Sequence, residues 1–202
     1  MEKEPTWDNQ DFYHFTLEMI GLSDINSVLE RLQQSHIYNN LLSYLIWHAC
    51  RSYGRIKREN IEKLQHAVFT WNEDIMEELQ RLKSMTELHQ HTKMDTIKGW
   101  LLDEINIARE MECNLLQEAV SGTKKLKRNL QQQLVDACFN VMNYCKYAKI
   151  SISGAEAQDL VVVLHGVFSA CHLAEVSIEF EHAMTKSKVD CQGVVQLALM
   201  PE

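Results

Sequence analysis

The sequence predicts an all-α fold: a multi-helix bundle of about seven to eight helices, in one body or two packed helical subdomains. Three observations carry this. The only prolines are Pro5 and Pro201, so nothing from Thr6 to Met200 forbids a helix on proline grounds. Glycine is scarce, at seven residues, and no Asn-Gly or Asp-Gly pair marks a hairpin turn. Along most of the chain, apolar residues recur at helical rather than alternating spacing.

A first helix is expected over Asp8–Ile20, capped by Thr6 or Asp8 and closed by Gly21. Ser23 would cap a second over Asp24–Gln34, carrying Ile25, Val28, Leu29 and Leu32. The third, Ile37–Tyr53, is the most apolar of the N-terminal half, with Gly54 as the residue that ends it. Leu41, Leu42, Leu45, Ile46, Ala49 and Tyr53 fill one arc of its wheel; Asn40, Tyr44, Trp47 and Arg51 fill another. A fourth helix, Glu59–Thr70, and a fifth, Asn72–His89, can be continuous. In the fifth, Ile75, Met76, Leu79 and Leu82 form the stripe.

The sixth, Asp95–Val120, sets Ile97, Leu101, Ile105, Ala108, Leu115 and Ala119 at helical spacing and ends at Gly122. Basic Lys124–Arg128 would open a seventh that runs to Lys149. Ser153-x-x-Glu156 reads as a capping box for an eighth helix over Ala155–Met184. Its middle, Leu160–Leu164, is β-branched enough for a buried strand, but length and flanking pattern favour a helix. The tail Val189–Met200 is open between strand, short helix and arm.

Charge divides the chain. Residues 1–119 hold 12 Lys and Arg against 20 Asp and Glu, whereas residues 120–202 hold 8 against 8. An acidic N-terminal domain (1–122) and a C-terminal helical hairpin with a tail (123–202), packed on the first, follow from this break. An acidic surface repels phosphates and favours basic partners, so no nucleic-acid partner is expected. The six cysteines show no Cys-x-x-Cys pair, and Cys138 and Cys145, seven residues apart on one helix face, lie about 10.5 Å apart along it. Reduced thiols are therefore expected. Met-Glu-Lys-Glu-Pro lacks the basic start and apolar run of a signal peptide, and the longest uncharged run, Leu160–Ala174, is short for a membrane span. A cytoplasmic location with no membrane span is the expectation.

Asn40-Leu-Leu-Ser-Tyr-Leu-Ile-Trp47 resembles the Val-Asn-Leu-Leu-Leu-Phe-x-x-Trp signature of an uncharacterised family of helical proteins from gammaproteobacteria. Trp71–Lys83 is similar to the family's later Trp-Arg-x-x-Val-Val-x-Pro-Leu-Arg-x-Leu-Arg, and Leu32-Gln33 and Glu104–Glu110 to flanking segments. The likeness covers about residues 7–119. It departs where Glu78 stands for the family's proline and Asn72 for its arginine. The resemblance implies a divergent member with a helical fold in a bacterial cytosol, and it brings no known reaction.

Candidate sites are few. Glu179-x-x-His182 is half of a di-iron ligand set, but no second Glu-x-x-His exists in the chain, so a solvated helix end is expected. His89 and His91 fall on opposite sides of any helix and read as a polar loop. His165 and His172 flank Cys171 on an apolar helix; a Cys–His nucleophile needs an orienting group that cannot be named, so core or interface histidines are expected. Lys124–Arg128 suits phosphate or an acidic partner, or else a solvated helix start. Asn40, Tyr44, Trp47 and Arg51 have the composition of a recognition stripe, and equally of helix packing. Leu160, Val163, Leu164, Val167 and Phe168 are either a central core helix or a groove for a partner helix.

The expected function is a non-enzymatic, acidic adaptor or chaperone-like subunit that binds a partner's amphipathic helix or a basic peptide, alone or in a multi-subunit complex. Its most specific form, on size and acidity alone, is an adaptor of a bacterial type IV secretion coupling complex. The alternative is a helical-bundle enzyme dependent on a metal or a thiol, using Glu179, His182, His165 and Cys171. A weaker alternative is a nucleic-acid-associated regulator acting through Lys124–Arg128. No catalytic residue, metal ligand or cofactor is assigned.

Overall fold

The computed structural model describes residues 11–22, 24–88 and 94–187, and among these the regular structure is helical throughout. The elements are α1 (Phe12–Gly21), α2 (Ile25–Gln34), α3 (Asn39–Cys50), α4 (Arg58–Trp71), α5 (Glu77–Glu87), α6 (Met94–Ala119), α7 (Leu130–Tyr147), α8 (Gly154–Val167) and α9 (Leu173–Ser187). A π turn, Asn72–Met76, joins α4 to α5, so 58–87 is one continuous run and the described elements count as eight. The all-α multi-helix expectation is met. The chain forms two compact units, one of residues 1–61 with 122–202 and one of residues 62–121. The acidic part of the chain is divided between the two units, and residues 122–202 fall in one unit with residues 1–61.

In the first unit, α3 is buried at every position from Leu41 to Cys50. It packs on α7, α7 packs on α9, and α2 packs on α8. Gly166 eases the close approach of α2 and α8: a Cβ there would overlap Ile25 Cδ1 and the isoleucine side chain would have to shift. One polar side chain ties α7 to the end of α3. Buried Asn140 donates to the carbonyls of Leu45 and Gly54 and accepts from the amide of Ile56. One turn away, buried Asp136 accepts from Arg55 Nε at 3.1 Å and from Arg128 Nε at 2.9 Å. The side chains of Asn140 and Asp136 are both paired, which is the condition for buried polar groups to stabilise rather than destabilise.

Helix ends depart from expectation in an instructive way. Asp11, whose carboxylate accepts from the amide of His14, caps α1; Thr6, Asp8 and Ser23 lie outside the described residues. Three helices close by paired bonds from the two residues past the C-cap: His36 and Ile37 after α2, Ser52 and Tyr53 after α3, Lys149 and Ile150 after α7. His36, Ser52 and Lys149 take the left-handed conformation that glycine usually supplies, at φ of 64°, 62° and 57°. Gly54 therefore does not end α3. It sits beyond the closed turn at φ +79°, where a Cβ would lie 2.7 Å from Leu126 Cδ1. Gly54→Ala is expected to lower the unfolding free energy by about 2 kcal/mol; urea titration followed by circular dichroism measures it.

Two further boundaries shift. Residues 124–128 are not helical; α7 starts at Leu130 behind an Asn129–Gln132 capping box, and the amide of Leu126 bonds the carbonyl of Ser52 at 2.7 Å. The expected eighth helix is two, α8 and α9, parted at 168–172. Its capping box, Ser153 with Glu156, is present, and Leu160–Leu164 is helical. The break comes where Phe168 leaves helical geometry at ψ 49° and turns into the core with Cys171, while Ser169 and Ala170 face solvent. The turn returns α9 onto both α7 and α8. The tail 189–200 and the pair His89 and His91 lie outside the described residues.

Candidate partner-docking site

In the second unit, α5 and α6 form an antiparallel hairpin around a small core of Met76, Ile105 and Ala108, with Trp71 and Leu79 packed against it. The seam runs along Met76, Leu79, Lys83 and Thr86 on one arm and Leu101, Ile105, Ala108 and Glu112 on the other, all buried or half-buried. Stepping back one residue turns a helix by about 100°. In an antiparallel pair, the same step on both helices lands on the same side of the pair.

The residues reached by that step are Ile75, Glu78, Leu82 and Met85 on the first arm, and Trp100, Glu104, Ile107 and Met111 on the second, with Ile97 continuing the row. They form a single apolar face interrupted by two carboxylates. Stepping forward reaches the opposite face: Glu77, Gln80, Ser84 and Glu87, then Leu102, Asn106, Arg109 and buried Cys113, polar but for Leu102 and that cysteine. The apolar face is uncovered. Trp100 is 66% exposed, Ile107 51%, Met111 49%, Met85 48% and Leu82 41%. Scattered exposed apolar residues need no explanation, whereas a contiguous two-helix face of them marks a binding surface.

Its electrostatics are simple. Glu78 pairs with Arg81 at 2.8 Å, and that hydrogen bond and charge hold its carboxyl below the usual range. Glu104 has no ion pair among the described residues. Lys98 lies 3.9 Å from Asp95 near the start of α6. Residues 62–121 carry 12 acidic against 6 basic side chains, a balance of −6.

The residues singled out from sequence lie elsewhere. Tyr44 and Trp47 are core: Phe12 packs on both, at 5.2 and 5.5 Å between ring centroids. Asn40 and Arg51 are half-buried at the two ends of that helix. Leu160, Val163, Leu164, Val167 and Phe168 are all 2% exposed or less, which makes them core and not a groove. Only Val162 of that stretch faces out, at 39%. Side chains so enclosed have no surface to offer a partner, because α2 and α9 already occupy theirs.

The chemical candidates separate too. His182 Nδ1 is 3.8 Å from Glu179 Oε2 in a surface pair on α9, and Gln131 donates to the same carboxylate. Cys171 is buried and its thiol is pushed up, first by burial and then by the charge of Glu175, the reverse of an activated nucleophile. His165 is half-buried and His172 exposed. Among the described residues no three His, Cys, Asp or Glu side chains are grouped to hold a metal ion. Of the basic run, Arg128 is tied to Asp136, while Lys124, Lys125 and Lys127 are exposed.

Comparison of the chain with family models, curated proteins and solved structures finds no match. The site is defined by its own geometry. Reading the sequence for one stripe per helix missed it. The outer row of α6 repeats at the same three- and four-residue spacing as the seam beside it, so spacing alone groups Ile75, Leu82 and Ile97 with seam residues, whereas they lie on the open face. No described helix is long and apolar enough to cross a membrane.

Proposed function

We propose that the protein is a non-enzymatic interaction module, an adaptor or chaperone-like subunit that takes a helix of another protein on the α5–α6 face. One observation supports the reading above others: the uncovered apolar row lies on one side of a two-helix hairpin whose other side is polar. A third helix laid on that row completes a bundle, the standard way an amphipathic helix seats in a groove. The likeness of residues 7–119 to an uncharacterised helical family is compatible with this and supplies no reaction. No residue favours the finer assignment to a secretion coupling complex, so the proposal stops at a helix-binding role.

A photo-crosslinking amino acid placed at position 107 on the apolar face, and at position 80 on the polar face, tests the assignment in living cells of the source organism. A discrete protein adduct is expected from position 107 and none from position 80. No adduct at 107, or the same adducts at both, would remove the proposal.

A further inference from the structure

We infer that the helix received by the α5–α6 face is a cationic amphipathic helix of a different protein, and not a second copy of this chain. The inference rests on the docking reading and names the chemistry of the occupant. Both charged positions within the apolar row, Glu78 and Glu104, are acidic, and the seam's register, with Met76 against Ile105 and Ala108, sets them at the same level of the hairpin. Glu78 is already satisfied by Arg81. Glu104, with no ion pair among the described residues, is the carboxylate that an occupant would desolvate.

A second copy would bring its own Glu104 and its own balance of −6 onto the same face, placing like charges together and leaving carboxylates unpaired under an apolar cover. A helix with Lys or Arg in the middle of its apolar side meets that carboxylate directly, and basic flanks meet the acidic surroundings. The row from Ile97 to Met111 spans 14 residue steps, about 21 Å, which a partner helix of four turns covers.

Fluorescence anisotropy with the full-length chain tests this, using two labelled 18-residue amphipathic peptides of identical leucine face, one with lysines and one with glutamates on the remaining positions. The lysine peptide is expected to bind at least tenfold tighter than the glutamate peptide, and more weakly as salt rises. Glu104→Lys should weaken the lysine peptide about tenfold, whereas Glu87→Lys, on the polar face, should change it less than twofold, both variants keeping wild-type circular dichroism. Equal affinity for both peptides overturns the charge inference and leaves the docking face standing. Equal weakening by Glu104→Lys and Glu87→Lys also overturns it, because attraction to net charge would then explain the binding. If neither peptide binds and sedimentation shows a dimer that Trp100→Glu dissociates, the occupant is a second copy and the inference fails while the face remains a docking surface. If neither peptide binds and the chain is monomeric, both the inference and the docking reading fail.

Discussion

Trp47→Ala lowers the unfolding free energy by about 3–5 kcal/mol, the range for truncating a large aromatic in a packed core. Trp47 is 5% exposed and its ring lies 5.5 Å from Phe12, 5.5 Å from Tyr44 and 6.0 Å from Tyr53, with the Arg51 guanidinium 6.0 Å from its centroid. Removing it leaves a void bounded by α1, α3 and the turn that follows, and those rings cannot all collapse into it. Urea unfolding followed by circular dichroism gives the number. Trp100→Ala is the counterpart. At 66% exposure its loss should change stability by no more than about 0.5 kcal/mol, and it should abolish crosslinking from position 107. Opposite behaviour of the two tryptophans, silent stability at 47 and unfolding at 100, would exchange core and docking face.

How far the sequence reveals this arrangement depends on the kind of signal. Helices that bury one stripe or are enclosed entirely, such as α3 and α7, announce themselves through spacing, and capping chemistry that is local, such as Ser153 with Glu156, is readable at once. The turn at 168–172 is different. Nothing in Phe168–His172 forbids a helix; the chain leaves it because Phe168 and Cys171 gain burial by turning inward, a tertiary effect that propensity does not encode. The left-handed closures at His36, Ser52 and Lys149 were hidden for a similar reason. Each is held by bonds to the preceding turn and by the residue after it, buried Ile37 in the first case, so glycine is not required. The docking face was hidden by its own regularity. A helix with two adjacent apolar rows reads as one broad core face until its neighbours show which row is covered. The buried stripe at Leu160–Phe168 misled in the opposite direction, since surplus hydrophobicity there serves packing on three sides.

Acidification from pH 7 to pH 4 should weaken the fold by about 3 kcal/mol through His48 alone. The imidazole is 2% exposed beneath Tyr44 and Tyr53, with ring centroids at 6.1 and 5.2 Å. Its Nδ1 lies 3.2 Å from the Gly54 carbonyl and donates to it in the neutral tautomer, while Nε2 has no hydrogen-bond partner among the described residues. Burial dominates and pushes the group down to about 4, the bond to Gly54 opposing it only in part. In the unfolded chain the same ring protonates near its ordinary value of 6.5. As pH falls through 6.5 the unfolded state therefore binds a proton that the folded state does not, and stability drops. The loss levels off near pH 4, where the folded imidazole protonates as well. Denaturant titrations across this range should show a steeper fall for the wild type than for His48→Gln, which has nothing to titrate at that position, carboxylate contributions being common to both. Parallel curves would mean that the folded ring is already charged at pH 5. Charging it would set a cation beside the amide of Asn140, which donates to the same Gly54 carbonyl. The bracket that fastens α7 to the end of α3 would then open first as the pH is lowered, and hydrogen exchange at the Ile56 amide, held by Asn140 Oδ1 at 2.8 Å, should accelerate ahead of exchange in the middle of α7.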